Sequence, residues 1–265
     1  SAADIMLLSR VQPAAVVGLF RMGKYLGNGI TDALTSSLAQ VAFPASSSLQ
    51  DAPDRVLLGL RKALRMVSLC MMPLCAAVAA SAGELVGLFL GDEWADTVPI
   101  VRLFALVGIF MSITGLLPAI YRGIGRPRVT FLFMLARVSV TLPVYVAVVG
   151  HGAVALAWAH LALAYLFGPI NLAICARLLS VRYRVLLGDL KAGLISAVMI
   201  LALYYGVAVS GAALNGSDGL ILLSGLSVSA MGFVALLRWG FPGHVRELME
   251  AFPFPRPVRS LLGVK

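Results

Sequence analysis

The sequence predicts an all-α protein, a polytopic bundle of membrane-spanning helices, and three observations lead there. Hydrophobic residues make up 60% of the 265 and charged residues 12%. That leaves too little polar surface to cover a water-soluble globule of this size. Mean hydropathy is +0.94, and the apolar residues gather into runs long enough to cross a hydrocarbon core, which takes roughly 20 residues of helix.

Seven segments meet that length: Ala14 to Phe43, Val67 to Leu90, Ile100 to Ile124, Val129 to Val149, Ala153 to Leu179, Ala192 to Val209 and Leu220 to Leu237. Ahead of them, Ala2 to Leu8 is apolar but too short, and reads as the stump of a truncated helix. The chain starts at Ser1 without a basic n-region or cleavage site of a signal peptide, so an upstream segment is expected.

The net charge of +9 is topological, since Lys and Arg punctuate the apolar runs and form no basic domain. One set of connections carries Arg55, Arg61, Lys62 and Arg65; Arg122, Arg126 and Arg128; Arg177, Arg182, Arg184 and Lys191; and a tail with Arg238, Arg246, Arg256, Arg259 and Lys265. These are 16 of the 21 basic residues. The opposite connections hold Asp92, Glu93, Asp96, the Gly150-His151-Gly152 turn and Asp218, with Arg10 as their only basic residue. Positively charged loops resist translocation, so the C-terminal tail is expected in the cytoplasm and the start of the chain on the outer face.

Trp94 and Trp239 stand where amphipathic rings anchor at membrane interfaces. Arg55 to Met66 alternates basic and apolar residues at helical spacing, which suits an interfacial helix or an ordinary solvated connector. The Phe252 to Pro257 tail reads as a loose terminus near anionic headgroups, with a polyproline ligand as the alternative. Cys70, Cys75 and Cys175 lie inside apolar runs without a C-x-x-C pair, so they read as small buried hydrophobes.

Five basic residues fall outside the inner loops: Arg10, Arg21, Lys24, Arg102 and Arg137. A charge at the bilayer centre costs at least ~2.5 to 3.5 kcal/mol, so Arg21, Lys24 and Arg137 need a wet or paired environment. At 100° per residue, Arg21, Asn28, Asp32 and Thr35 share one face of the first complete span, with Lys24 close by. The same segment holds Gly18, Gly23, Gly27 and Gly29, which let other backbone or a ligand approach. Asp32 reads as the one carboxylate deep within the spans. Arg137 shares a face with Thr130 and Thr141 and suits a second wall of the same cavity. The candidate substrate-binding residues are therefore Arg21, Lys24, Asn28, Asp32 and Arg137, against the plainer reading of an internal salt bridge, such as Asp32 with Lys24 or Arg137, that only holds helices together.

Arg102 and Glu84 lie near span ends and are expected to snorkel to the interface. His160 suits a proton relay or a hydrogen-bonded packing histidine. Pro73, Pro118, Pro143 and Pro169 each interrupt a span, and kinked helices suit a protein that alternates between two openings. The last two spans lack charge and read as lipid-facing accessories, which puts the cavity in the first five.

Three stretches carry a family resemblance. Val17-Gly18-Leu19-Phe20 through Phe43-Pro44 to Leu49-Gln50-Asp51 is similar to a "G-L-Y... F-P... L-Q" pattern; Leu90-Gly91-Asp92-Glu93-Trp94 with Pro99 and Leu103 to a "G-x-x-W... P... L" elbow; and Gly123-Ile124-Gly125-Arg126-Pro127 to a "G-x-G-R-P" inner turn. In their order and spacing the chain resembles the polysaccharide (O-antigen and exopolysaccharide) flippases of the multidrug/oligosaccharidyl-lipid/polysaccharide superfamily. The resemblance implies two six-helix lobes facing each other, plus two trailing helices. Residues 1–179 would then be the C-terminal lobe, from the end of helix seven through helix twelve, 180–240 two accessory transmembrane helices, and 241–265 a cytoplasmic tail. It also implies a bacterial inner-membrane transporter of undecaprenyl pyrophosphate-linked oligosaccharide, whose partners are that lipid-linked substrate, membrane lipid and an N-terminal lobe missing from this chain. Arg21, Lys24 and Arg137 are the positions that could serve its cationic cavity, by location and charge.

Drug or cation antiport within the same superfamily is the nearest alternative, and would favour acidic cavity residues. A membrane glycosyltransferase or polymerase needs a positioned catalytic group and room for a polar substrate. The loops here are short, and the sequence offers no nucleotide-binding glycine motif, paired catalytic carboxylates or metal cluster, so no enzyme activity, cofactor or nucleic-acid partner is expected. A purely structural subunit would tolerate neutral residues at positions 21 and 137.

Overall fold

A computed structural model of the chain describes residues 2–47, 53–213 and 218–241. Its helices are α1 (Ala2–Val11), α2 (Ala14–Ser47), α3 (Pro53–Ala80), α4 (Ala82–Phe89), α5 (Val98–Thr114), α6 (Leu117–Gly123), α7 (Pro127–Val148), α8 (Ala153–Leu178), α9 (Tyr183–Ala213) and α10 (Asp218–Gly240), with short 3-10 turns over Asp92–Thr97 and Val149–His151. No strand occurs among the described residues, and the chain is an all-α bundle. The Phe252 to Pro257 tail lies outside them.

Six segments are long and apolar enough to cross a membrane: Asp54–Ala80, Asp92–Gly123, Pro127–His151, Ala153–Leu178, Tyr183–Ser210 and Gly219–Gly240. The sequence predicts seven. The difference is α2, which at 34 residues has ample length; Arg21, Lys24, Asn28 and Asp32 keep it short of the apolarity the other six reach. Two expected spans are also broken, at Ser81 between α3 and α4 and at Gly115–Leu116 between α5 and α6, where hydropathy runs on but backbone helix does not. Arg55 to Met66 forms the opening turns of α3 itself and not a separate interfacial element. Three of the four span prolines interrupt nothing: α3, α7 and α8 continue through Pro73, Pro143 and Pro169. Only Pro118 follows a break, sitting at the start of α6, where its missing N–H is not needed. Gly125 turns the chain from α6 into α7 with φ of 73°, which accounts for the second glycine of the G-x-G-R-P motif.

Two large apolar clusters make up most of the core among the described residues. One joins Leu60, Leu64 and Met72 of α3 to Ile109 and Ile113 of α5, Leu172 and Cys175 of α8, and Leu186, Leu190 and Ile200 of α9. The other joins Leu8 of α1 and Phe20 of α2 to Ile100 and Phe104 of α5, Tyr145 of α7, and Leu156 and Leu163 of α8. Membrane helices gain no hydrophobic drive by leaving lipid, so their contacts rest on close packing. A β-carbon at Gly193 would lie 2.5 Å from the Ser68 carbonyl oxygen, and one at Gly27 would lie 2.7 Å from that of Val101, so glycine is what lets α9 meet α3 and α2 meet α5. The expectation that the last two spans only face lipid therefore holds for part of their surface: Val198, Leu223 and Met231 point outward, while α9 is built into the core through α3.

Glu84 and Arg102 are each half-buried; Glu84 Oε2 and Arg102 Nε are covered by protein, and the Arg102 guanidinium lies 3.7 Å from where a β-carbon on Gly83 would stand.

Candidate functional site

The site is built on α2. Its helical period gathers Gly18, Arg21, Tyr25, Gly29 and Asp32 along one face, and with Met22, Lys24 and Ile5 of α1 they line an open cavity of about 600 Å³. The glycines keep its wall low, and Tyr25, 72% exposed, projects from it. Arg21 and Asp32 are exposed and Lys24 is half-buried. Asn28 turns the other way into the protein and donates from Nδ2 to Asp32 Oδ1 at 3.2 Å, orienting that carboxylate from behind. Four of the five predicted residues thus belong to one site, three as lining and Asn28 as support.

Arg137 does not. It stands at the middle of α7, is exposed, and is absent from the cavity lining. Thr130 and Thr141 are half-buried, so the shared face inferred from the helical wheel does not make a second cavity wall. The α7 helix has few neighbours, and most of its residues from Phe131 to Val140 are exposed.

The residue the sequence reading passed over is Asp4. Helix α1 folds back beside α2 and carries the Asp4 carboxylate, fully buried, to Lys24, with Nζ 2.5 Å from Oδ2. The expectation that Asp32 is the one deep carboxylate is corrected here, and the internal salt bridge, for which the sequence suggests Asp32 with Lys24 or Arg137, forms between Lys24 and Asp4. Asp4 Oδ2 also lies 2.8 Å from His160 Nε2, and Oδ1 accepts from the Ile5 backbone N–H at 2.9 Å. A carboxylate facing an ammonium can only accept, so His160 donates from Nε2 and its Nδ1 takes the hydrogen bond from the Tyr145 hydroxyl. A continuous polar chain therefore runs Lys24, Asp4, His160, Tyr145, across α2, α1, α8 and α7.

Its surroundings are apolar and aromatic. The His160 ring packs against Tyr145, Phe104 and Phe20 at centroid distances of 4.6, 5.1 and 6.1 Å, and Lys24 Nζ stands 5.8 Å from the Phe104 ring centre, within cation–π range. His160 is hydrogen-bonded on both ring nitrogens and packed among aromatic rings. A lone carboxylate in such a place would be costly; two polar neighbours and a backbone amide are what hold it there. The α1 end is fastened as well, where the Gln12 side-chain amide donates to the carbonyls of Val149 and Gly150 at 3.2 and 3.1 Å. One signal for Asp4 is available in the sequence, an acid inside the apolar Ala2 to Leu8 run; nothing there points to Tyr145.

Among the described residues no cluster of three or more His, Cys, Asp or Glu could hold a metal ion. The chemistry the site offers is electrostatic: an exposed guanidinium, an ammonium shared with a buried acid, and one lining carboxylate.

Residues 1–99 match the sequence model of the family described as "Polysaccharide biosynthesis protein", a stretch that contains all of α1 to α4 and so the whole cavity lining. The chain is 21% identical over 141 residues to the "Lipopolysaccharide biosynthesis protein WzxC" of Escherichia coli (strain K12), covering 53% of this chain and 29% of that protein. It is 22% identical over 138 residues to an "Uncharacterized membrane protein in cps region" of Klebsiella pneumoniae, covering 52% of this chain and 28% of the relative. The matches span less than a third of either relative's length. No solved structure matches the chain. With its helices long and apolar enough to cross a bilayer, the chain is a multi-pass membrane protein whose first 99 residues, which hold the cavity lining, are similar to polysaccharide biosynthesis proteins.

Proposed function

We propose that this chain forms part of a flippase that carries undecaprenyl pyrophosphate-linked oligosaccharide from the cytoplasmic to the outer leaflet of a bacterial inner membrane, and that it is not an enzyme. The observation that carries the reading is the open cavity of about 600 Å³ into which Arg21 projects. In an apolar helix bundle a pyrophosphate group must exchange its water for fixed donors, and a guanidinium supplies a forked pair matched to phosphate oxygens. Residues 1–179 then act as one lobe whose cavity faces a second lobe, 180–240 as two trailing helices, and 241–265 as a cytoplasmic tail. Positively charged loops at the cytoplasmic face orient the whole.

Cation antiport is the rival that one observation favours, since Asp4 adds a second carboxylate to Asp32. Asp4 already faces Lys24, however, which repels a cation from that position.

Binding to the intact protein in zwitterionic nanodiscs separates the two. Farnesyl pyrophosphate should bind, and Arg21→Gln should weaken it about tenfold, the scale of one charge-assisted hydrogen bond. Binding of tetraphenylphosphonium with no binding of the pyrophosphate lipid would sink the flippase reading.

A further inference from the structure

Lys24 occupies two places in the structure at once. It lines the cavity, and its ammonium is bound to the fully buried carboxylate of Asp4. The geometry points to Asp4 as an internal competitor of the transported anion: Lys24 swings between the Asp4 carboxylate and a phosphate group in the cavity, and the His160–Tyr145 pair keeps Asp4 solvated while Lys24 is away. This rests on the cavity being an anion site, and adds what holds its lysine before an anion arrives.

Charge balance is the first argument. Among the described residues that line the cavity or bond to its lining, the cations Arg21 and Lys24 stand against the carboxylates Asp32 and Asp4. A site for a polyanion that kept both cations uncompensated in an apolar bundle would carry a heavy desolvation cost in its resting state. Pairing Lys24 internally removes half of that cost, and an incoming anion recovers the ammonium by displacing one carboxylate.

The second argument is the division of labour on Asp4. Its Oδ1 accepts from the Ile5 N–H and its Oδ2 is shared between Lys24 and His160. Loss of Lys24 leaves Oδ2 still bonded to His160 Nε2, whose other nitrogen is held by Tyr145. Asp4 therefore keeps two hydrogen bonds when Lys24 departs, so the exchange does not strand a bare carboxylate in an apolar bundle. The third argument is the cation itself. Lysine is a compact charge on a flexible stem with no planar fork to satisfy, and its side chain is 20% exposed toward the cavity, so the exchange needs side-chain rotation and no backbone movement.

The sign of one substitution tests this. In the intact protein, in phosphatidylcholine nanodiscs, Asp4→Asn should tighten the binding of farnesyl pyrophosphate about five- to tenfold, within the usual range of coupling between linked sites. Lys24→Met should weaken it, and Asp4→Asn added to Lys24→Met should change nothing further, because Asp4 acts only through Lys24. Inorganic pyrophosphate in a parallel arm, and discs containing phosphatidylglycerol, distinguish a lipid-borne pyrophosphate from free phosphate or bulk anionic lipid. Unchanged or weaker binding in Asp4→Asn, or an equal effect in the Lys24→Met background, overturns the exchange while leaving the anion site standing. Binding of neither probe to the wild type overturns both. Wild-type protein gives a second readout should Asp4→Asn fold poorly. Its lysines, Lys24 among them, can be ¹³C-methylated, and the signal missing in Lys24→Met should move when farnesyl pyrophosphate is added; a signal that stays put refutes the exchange.

Discussion

Among the described residues two buried acids, Asp189 and Asp4, meet basic side chains across helices, and the two junctions are built on different principles. Between α3 and α9, Arg61 grips Asp189 with both arms of its fork, Nε to Oδ2 at 2.8 Å and Nη2 to Oδ1 at 3.1 Å, and Arg65 adds a third contact at 3.5 Å. Between α1 and α2, Lys24 meets Asp4 through one ammonium. The planar fork fixes the angle between two helices; the ammonium fixes only a distance. The first contact sits beside a glycine-tight helix pair, the second beside an open cavity. The same electrostatic chemistry thus serves as a clamp where both sides are protein, and can serve as an exchangeable bond where one side is open.

The largest expected effect breaks the clamp. Asp189→Asn leaves the Arg61 and Arg65 guanidinium groups facing a neutral amide and should lower stability by ~3 kcal/mol, as removing one partner of a buried ion pair does. Thermal melting in nanodiscs measures it, and an equal loss in Asp4→Asn would erase the contrast. Next in size is Gly193→Ala. Its β-carbon would meet the Ser68 carbonyl oxygen at 2.5 Å, and backbone cannot yield as a flexible side chain would, so a loss of about 1 to 3 kcal/mol is expected. Gly29→Ala, on the cavity wall, places its β-carbon no nearer than 3.8 Å to Tyr25 and should leave the melting temperature in place. If both glycines respond alike, the α3–α9 seam is no tighter than the cavity side.

What the sequence made legible follows from the range of each signal. Runs of apolar residues mark the spans, because a bilayer imposes a length; helical periodicity assembles Arg21, Lys24 and Asp32, because neighbours three or four residues apart share a face. Neither signal reaches across the chain. Asp4 lies in a ten-residue helix too short to register as a span, and its partner His160 is 156 residues away. The breaks at Ser81 and Gly115 pass unnoticed in hydropathy because their neighbours are as apolar as the rest of the span. The placement of Arg137 fails for a related reason: a helical wheel gives the angle between residues on one helix, but not which helix the face meets.

That residue provides the smallest and most discriminating expectation. A guanidinium at the centre of a bilayer-spanning helix is costly, and the exposed Arg137 on sparsely packed α7 lies outside the cavity lining. Arg137→Gln should therefore change farnesyl pyrophosphate affinity less than about twofold, against the tenfold of Arg21→Gln, since a rim or remote charge acts through a screened field and not through contact. A loss as large as that of Arg21→Gln would mean that α7 closes over α2 in the ligand-bound state. The cavity would then have two walls, and the loose packing of α7 would be the freedom that lets the second one move.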